Sequence, residues 1–263
     1  MKREYCFLSL LILTAIALPT WNAVSQEAET LVLYLPFEGA ASPVDHSDNP
    51  AEVSVRGSLE QVDGKFGKAL EFDGDSANIV EVTHADKLEG MEALTIEAWV
   101  KPSEPASKEG MSVVSKRLAW ESGDVYNLFI WDGQTVRGRV NANSGLELRS
   151  QTALEDGQWY HLAYVFDSGA PDNEKVKLYI NGELEASGPH PDQAVNQGGA
   201  PLWIGELDPN RGFGWKGIID EVGIWNAALS QDEIMSVMEK GKAMIISVES
   251  KGKLTTTWGE IKD

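Results

Sequence analysis

The sequence predicts an all-β fold: a sandwich of two antiparallel sheets with one short helix near its C-terminal end. Three observations predict it. Short segments of alternating apolar and polar residues recur from Leu31 to Trp225, separated by clusters of Gly, Pro, Asn and Asp. Gln158–Asp167 and Lys177–Glu183 read as adjacent antiparallel strands, and the second runs into Asn181-Gly182, a pair that supplies the positive φ angles a tight hairpin demands. Helical spacing joined to helix-capping residues stands out in one place, after Ser230.

The elements follow in chain order. Lys2 and Arg3 precede an apolar run from Cys6 to Leu18, and Ala23-Val24-Ser25 gives a small-x-small exit, the pattern of a secretory signal peptide cleaved after Ser25. The apolar run is shorter than the roughly 17–25 residues that span a bilayer, which sets the leader apart from a membrane anchor. Strands are expected at 31–37, 51–56, 69–73, 78–83, 94–101, 111–116, 125–131, 135–140, 146–151, 158–167, 175–181, 183–187, 201–205 and 214–226. Ser230-x-x-Glu233 has the spacing of a capping box, Ile234, Val237 and Met238 fall at helical spacing, and Gly241 ends the run. No internal repeat or linker divides residues 26–241, so they read as one domain. Residues 242–263 form a tail of different character, in which Met244–Val248 has the pattern of one more strand and Trp258 is expected to dock on the sandwich or serve attachment.

Composition narrows the function classes. The chain has 41 acidic and 22 basic side chains; removing the leader's two basic and one acidic residue leaves 40 and 20. Such a surface repels nucleic acid and anionic membranes, which need clustered Lys and Arg. It suits neutral sugars, cationic partners or calcium, and it also serves solubility alone. The single cysteine, Cys6, lies in the leader, so the mature chain forms no disulfide and rests on core burial, for which its size suffices. Export as a soluble protein, extracellular or periplasmic, is expected.

Several segments, in order, resemble the laminin-G-like jelly rolls of the concanavalin A-like lectin/glucanase group. Leu33 to Gly39 is similar to the opening strand, Gly64 to Gly74 to the turn and strand that follow, and Leu94 to Val100 to a core strand. The 158–167 and 177–183 pair resembles the central signature. Leu202 to Gly205 and Gly217 to Trp225 resemble the closing strands, with Ala228 to Ile234 as the helix after them. The resemblance spans residues 31–240 and implies a two-sheet jelly-roll sandwich. Within it, Trp99, Trp159 and Trp225 are expected in the core, Gly64, Gly67 and Gly74 at turns, and His161 as a strand residue rather than a metal ligand.

The group includes glucanases, so the resemblance leaves catalytic carboxylates as a possibility that the sequence itself decides. Retaining glycosidases place two carboxyl groups about 5–5.5 Å apart, which on a strand favours residues at i and i+2 or i+4. The Glu-x-Asp-x-x-Glu strand of the glucanases is absent. Asp220-Glu221 is expected to point its two carboxylates to opposite faces, and Glu71 with Asp73 sits at a strand end before a turn. No Gly-x-Ser-x-Gly elbow, Cys/His zinc spacing or Gly-rich phosphate loop occurs. A non-catalytic protein is expected.

The resemblance implies a structural calcium ion between the first and closing strands, at positions matched by Glu38 and Asp220. Calcium takes six to eight oxygens; the other reading makes both residues turn acceptors or surface charges. The Asp45-x-x-Asp48-Asn49 loop is a second oxygen-rich segment. For a ligand, Trp120, Trp131 and Trp215 lie near strand ends beside Glu121, Asp124, Asp132 and Arg211. Rings beside carboxylates and amides suit sugars, although the same rings can cap the ends of a core. The expected partner is a polysaccharide or a glycoprotein glycan, bound by an adhesion module; the alternative is a surface protein, bound by an interaction domain.

Overall fold

The computed structural model describes residues 30–39, 42–103, 110–118, 123–132, 134–141, 146–207 and 212–241. The leader, the tail and the residues Trp120, Glu121 and Arg211 lie outside them. Fifteen strands are formed: β1 (Leu31–Leu35), β2 (Val53–Arg56), β3 (Glu60–Asp63), β4 (Lys68–Asp73), β5 (Ile79–Val82), β6 (Ala93–Pro102), β7 (Met111–Arg117), β8 (Asp124–Trp131), β9 (Thr135–Val140), β10 (Leu148–Ala153), β11 (Tyr160–Asp167), β12 (Val176–Ile180), β13 (Glu183–Gly188), β14 (Leu202–Ile204) and β15 (Lys216–Trp225). Helix α1 covers Gln231–Lys240. Fourteen strands lie where alternation predicts them. The exception is β3, whose Glu-Gln-Val-Asp sequence has a single apolar residue; it is held as a strand by its pairing with β4, not by a buried face.

The first sheet has the order β13-β12-β11-β6-β15-β4-β3, with β1 added beside β15; the second has the order β10-β9-β8-β7-β14-β5-β2. Among the described residues every strand pairing is antiparallel, the arrangement of a jelly-roll sandwich. Alternate residues of both sheets meet in one core, with Leu94, Ile96, Leu162 and Tyr164 from the first sheet facing Val80, Leu128, Val136 and Leu202 from the second. The β12–β13 turn has Asn181 at φ 52° and Gly182 at φ 78°, the two positive angles that the Asn-Gly pair predicts.

A smaller apolar layer lies on the other side of the first sheet, where Tyr34, Ala163, Val165, Tyr179 and Trp225 meet Leu229 and Ile234. Helix α1 covers it. Its capping box is complete: Ser230 Oγ accepts from Glu233 N, Glu233 Oε2 accepts from Ser230 N at 2.6 Å, and Gly241 ends the helix. The first sheet is therefore covered on both faces over much of its width. The second sheet keeps one face turned away from the core.

Close packing between the sheets depends on a missing side chain in β9. A Cβ on Gly138 would lie 2.1 Å from the ring of Tyr164, which is fully buried on β11. Gly138→Ala is expected to lower stability by about 1–3 kcal/mol through overpacking, read as an earlier urea midpoint with an unchanged slope. An unchanged midpoint would show that the ring has room to move aside.

Candidate ligand-binding face and a buried acidic cluster

Residues directly opposite one another in neighbouring strands share a face, so the register shows what the outward face of the second sheet carries. One row crosses six strands: Ser54 opposite Glu81, Glu81 opposite Trp203, Trp203 opposite Ser115, Ser115 opposite Asn127, and Asn127 opposite Arg139. The next row runs Ser112, Phe129, Arg137, Arg149. Trp131 and Thr135 begin a third. The outward face of this sheet is thus a plane of arginines, hydroxyls, amides and aromatic rings.

Its groups are held by one another. Asp124 forms ion pairs with Arg117 Nε at 3.0 Å and Arg139 Nη2 at 2.5 Å, and Glu147 pairs with Arg137 Nη1 at 2.5 Å and Arg139 Nη1 at 3.8 Å. Asn127 satisfies its neighbours when its amide nitrogen donates to Ser115 Oγ and its oxygen accepts from Arg139 Nε at 3.2 Å. Trp203 Nε1 donates to Glu81 Oε2, which also pairs with Arg56. The middle of the plane is covered: Leu207 carbonyl accepts from Ser115 Oγ at 2.8 Å, and Glu206 Oε1 accepts from the amides of Leu207 and Phe213. Among the described residues the cover ends towards β9 and β10. There Trp131, Phe213 and Arg137 are half-buried and Arg149 is exposed.

Trp131 rests on Gly110, where any Cβ would lie 2.4 Å from the indole, and Phe213 tilts against it at 5.5 Å and 31°. Of the ligand residues expected from the sequence, Trp131 alone is described at this surface. Trp215 is fully buried within the inter-sheet core, so its ring has no face for a ligand. Alternation at a strand end does not tell a core ring from a surface ring, so Trp215 and Trp131 look alike in the sequence. Asp124 is buried as the anchor of two arginines, and Asp132 is exposed. The row of arginines was missed. Arg137-Gly-Arg139 at i and i+2 on a strand was the available signal, since those positions share a face.

Glu38 and Asp220, the expected calcium pair, both serve the turn before β4. Asp220 Oδ2 accepts from Lys65 N at 2.8 Å and Phe66 N at 3.1 Å, while its Oδ1 accepts from Glu221 N at 2.9 Å. Glu38 Oε1 accepts from Lys68 N at 3.3 Å and packs on Gly67, where a Cβ would lie 1.8 Å from it. Oxygens aimed at N–H donors are poorly placed for a cation, and among the described residues no group of three or more His, Asp or Glu is arranged to hold one. As placed, the pair does not fit a calcium site. Asp45 is occupied in the same way. It accepts from the amides of Tyr34, Ser47 and Ala51 and pairs with Lys87. Burial opposes its charge, but those amides outweigh burial and hold its carboxyl below the usual range.

Asp220 and Glu221 depart from the sequence expectation in a second way. They do not point to opposite faces. Asp220 stands opposite Trp99 and Gly223 opposite Glu97, so β15 has one residue more than β6 between those pairs, a β-bulge. Glu221 takes φ 51°, and Val222 and Ile224 resume the core face, which leaves both carboxylates on the outward side. There they meet the Tyr34 hydroxyl, which donates to Glu221 Oε2, and the paired Glu97 and His161. Trp99 walls the group, with Lys65 Nζ 4.1 Å from its ring centre and Phe66 edge-on at 6.4 Å. No part of this cluster was legible from spacing, because a bulge breaks the alternation on which spacing arguments rest.

Burial raises the Asp220 carboxyl to about 7 against its three backbone bonds, with Glu38 adding to the rise. Burial raises Glu221 to about 8; the Tyr34 bond opposes this, and Asp220, Glu97 and Glu38 reinforce it.

A laminin-G-type family model described as "Concanavalin A-like lectin/glucanases superfamily" matches residues 73–235. That is more than half of the chain, and the chain belongs to this family. Among solved structures, the binding domain of Paraclostridial Mosquitocidal Protein 1 superposes with a TM-score of 0.65 at 17% identity, over 81% of this chain and 52% of that one. Domain 4 of AbnA, an extracellular arabinanase from Geobacillus stearothermophilus in complex with arabinotriose, gives 0.58 at 22% identity, over 79% of this chain and 98% of that one. A botulinum neurotoxin type C structure, whose cell entry depends on two ganglioside molecules, gives 0.62 at 16% identity, over 82% and 52%. The chain thus spans about half the length of the two toxin chains. These likenesses show the fold. No curated protein matches the chain.

The raised carboxyls generate a prediction. Both groups hold protons more tightly in the folded chain than in the unfolded one, where carboxyls titrate near about 4. Between those values the folded state binds more protons, so stability falls as pH rises. The contribution is fully present below about pH 4 and is lost as pH passes about 7 and about 8. The melting temperature is expected to fall between pH 5 and pH 8.5, and to fall less in Glu221→Gln. A wild-type profile that is flat or rises over that range would overturn the assignment.

Proposed function

We propose that this member of the concanavalin A-like lectin/glucanase superfamily is a non-catalytic glycan-binding module, exported as its leader leads one to expect. Its ligand lies on the outward face of the second sheet, at the β8–β9–β10 end. The observation that carries this reading is the juxtaposition there of a half-buried aromatic pair, Trp131 and Phe213, with the polar side chains of Thr135, Arg137 and Arg149. Sugar rings present apolar C–H faces edged by hydroxyls, and a site for them combines rings with a few fixed polar groups. The solved neighbours support the reading, since one is a domain in complex with arabinotriose and another concerns ganglioside-dependent cell entry.

Two features support binding without catalysis. Three acidic residues of this face, Glu81, Asp124 and Glu147, are each engaged by arginine rather than turned towards a ligand. The raised carboxyls Asp220 and Glu221 are buried on the other sheet. A protein-binding surface domain is the alternative, and it requires a contiguous exposed apolar patch. Among the described residues the large exposed apolar side chains are Val44, Leu118, Leu184 and Met235; Met235 rests against Gly182, two residues from Leu184, and Val44 and Leu118 lie in other segments.

A glycan array, read with calcium and again with a chelator, tests the proposal. Saturable binding is expected in both, because Glu38 and Asp220 are engaged by backbone amides. Binding lost to the chelator would overturn that part of the reading. Trp131→Ala is expected to weaken binding about tenfold, or about 1.4 kcal/mol, with the fold intact. Undiminished binding by that variant would put the ligand elsewhere, and silence from a folded protein would favour the protein-binding alternative.

A further inference from the structure

The arginines of this acidic chain are not scattered. It has seven, at a formal net charge of −19, and five of them (Arg56, Arg117, Arg137, Arg139 and Arg149) fall on the outward face of the second sheet. Most are explained by partners already described. Arg56 pairs with Glu81, Arg117 and Arg139 share Asp124, and Arg137 and Arg139 share Glu147.

Arg149 is different. Its Nε donates to Thr135 Oγ1 at 3.0 Å and its Nη2 reaches the Asp132 carbonyl at 3.5 Å, both neutral oxygens. Among the described residues no carboxylate pairs with it. It also stands directly opposite Arg137 on the neighbouring strand. Side chains so placed have Cβ atoms roughly 4.5–5.5 Å apart, and like charges there oppose folding. Glu147 is the carboxylate that serves this corner, and it is already shared by two other arginines. Among the described residues the pair has one ion-paired carboxylate, Glu147 on the Arg137 side, and it stands at the rim next to Trp131.

We infer that the Arg137–Arg149 pair is an oxyanion subsite that makes the glycan ligand an acidic one, carrying carboxylate or sulfate groups. This rests on the glycan-binding reading above and narrows it. A guanidinium is a planar fork of donors whose geometry matches two oxygens of a carboxylate or sulfate, and two forks side by side suit one anionic group between them. The anion relieves the repulsion that the empty pair carries. Thr135 and Asp132 hold Arg149 in place from below, so its exposed edge is pre-positioned. An edge-strand arginine also discourages association between sheets; that role alone predicts no effect on a ligand.

The test uses the full protein and four probes: polygalacturonate for carboxylate, dextran sulfate for sulfate, and dextran and arabinan as neutral chains. Binding to at least one acidic probe is expected to exceed binding to both neutral chains and to weaken steeply with salt. The acidic probe that is preferred identifies the anion. Arg149→Gln is expected to lose about tenfold or more for that probe, and to lose more for it than for the neutral chains. Its melting temperature is expected to stay level or rise, because a like-charge contact is removed. Arg149→Lys, which keeps the charge without the fork, is expected to recover part of the affinity. Equal binding of acidic and neutral chains, or acidic binding unchanged in Arg149→Gln, would overturn the inference. Binding to arabinan or dextran alone would overturn it while leaving the glycan-binding reading standing. Silence towards all four, from a folded protein, would overturn both.

Discussion

One strand has to satisfy three neighbours, and the rest of the molecule is arranged around how it does so. Along one edge β15 pairs with β6 throughout; along the other it pairs with β4 from Lys216 to Ile219 and with β1 from Val222 to Trp225. The bulge at Asp220 and Glu221 falls at the change of partner. An extra residue there lets β15 leave one neighbour and meet the next while Ile219, Val222 and Ile224 all stay in the core. The junction would otherwise leave backbone amides of the β3–β4 turn without partners, and Asp220 accepts two of them. Gly64 and Gly67 allow the turn to come that close, since a Cβ on either would strike the carboxylates of Asp220 and Glu38.

This junction costs something locally: two carboxyl groups with little access to water, one of them on a residue with positive φ. The chain accepts it where the surroundings are deepest. Trp99, Phe66 and Lys65 cover the group on one side, and α1 covers the apolar strip beyond. The consequence for function is a division between the sheets. The first is enclosed on its outward face by the turn, the helix and their rings. The second has polar rows on its outward face, covered in the middle and open at one end.

Alternation made the strands legible because fourteen of the fifteen set at least one apolar side chain, fully or partly buried, on a core, and such burial is what a period of two records. The helix and the Asn-Gly hairpin were legible through residues whose side-chain and backbone chemistry is local. What escaped was whatever depends on register or on distant chain. Strand β3 carries no buried stripe; β4 recruits it by hydrogen bonds alone. Trp215 and Trp131 look alike in sequence, yet one is enclosed by the sheets and the other rests on Gly110 at the rim. Asp220 and Glu221 read as opposed until the bulge put them together. Glu38 and Asp220, expected as a calcium pair between the first and closing strands, both reach the turn before β4, where their oxygens meet amides.

The candidate site follows from the same accounting applied to the second sheet. A polar row on a sheet face is stable when each group finds a partner, and near the middle strands the protein supplies them: Asp124 for two arginines, Asn127 for Ser115 and Arg139, and the Leu207 carbonyl for Ser115. Moving outward from β8 to β10, partners thin out. Glu147 divides itself between Arg137 and Arg139, and Arg149 is met by a hydroxyl and a carbonyl. A face that is only covered or solvated gains no stability from setting two guanidiniums opposite one another. A face that completes itself with an anionic group does, and the surrounding negative charge then acts as a filter. An acidic glycan reaches this rim only if its anions find the arginine forks, since elsewhere the surface repels it.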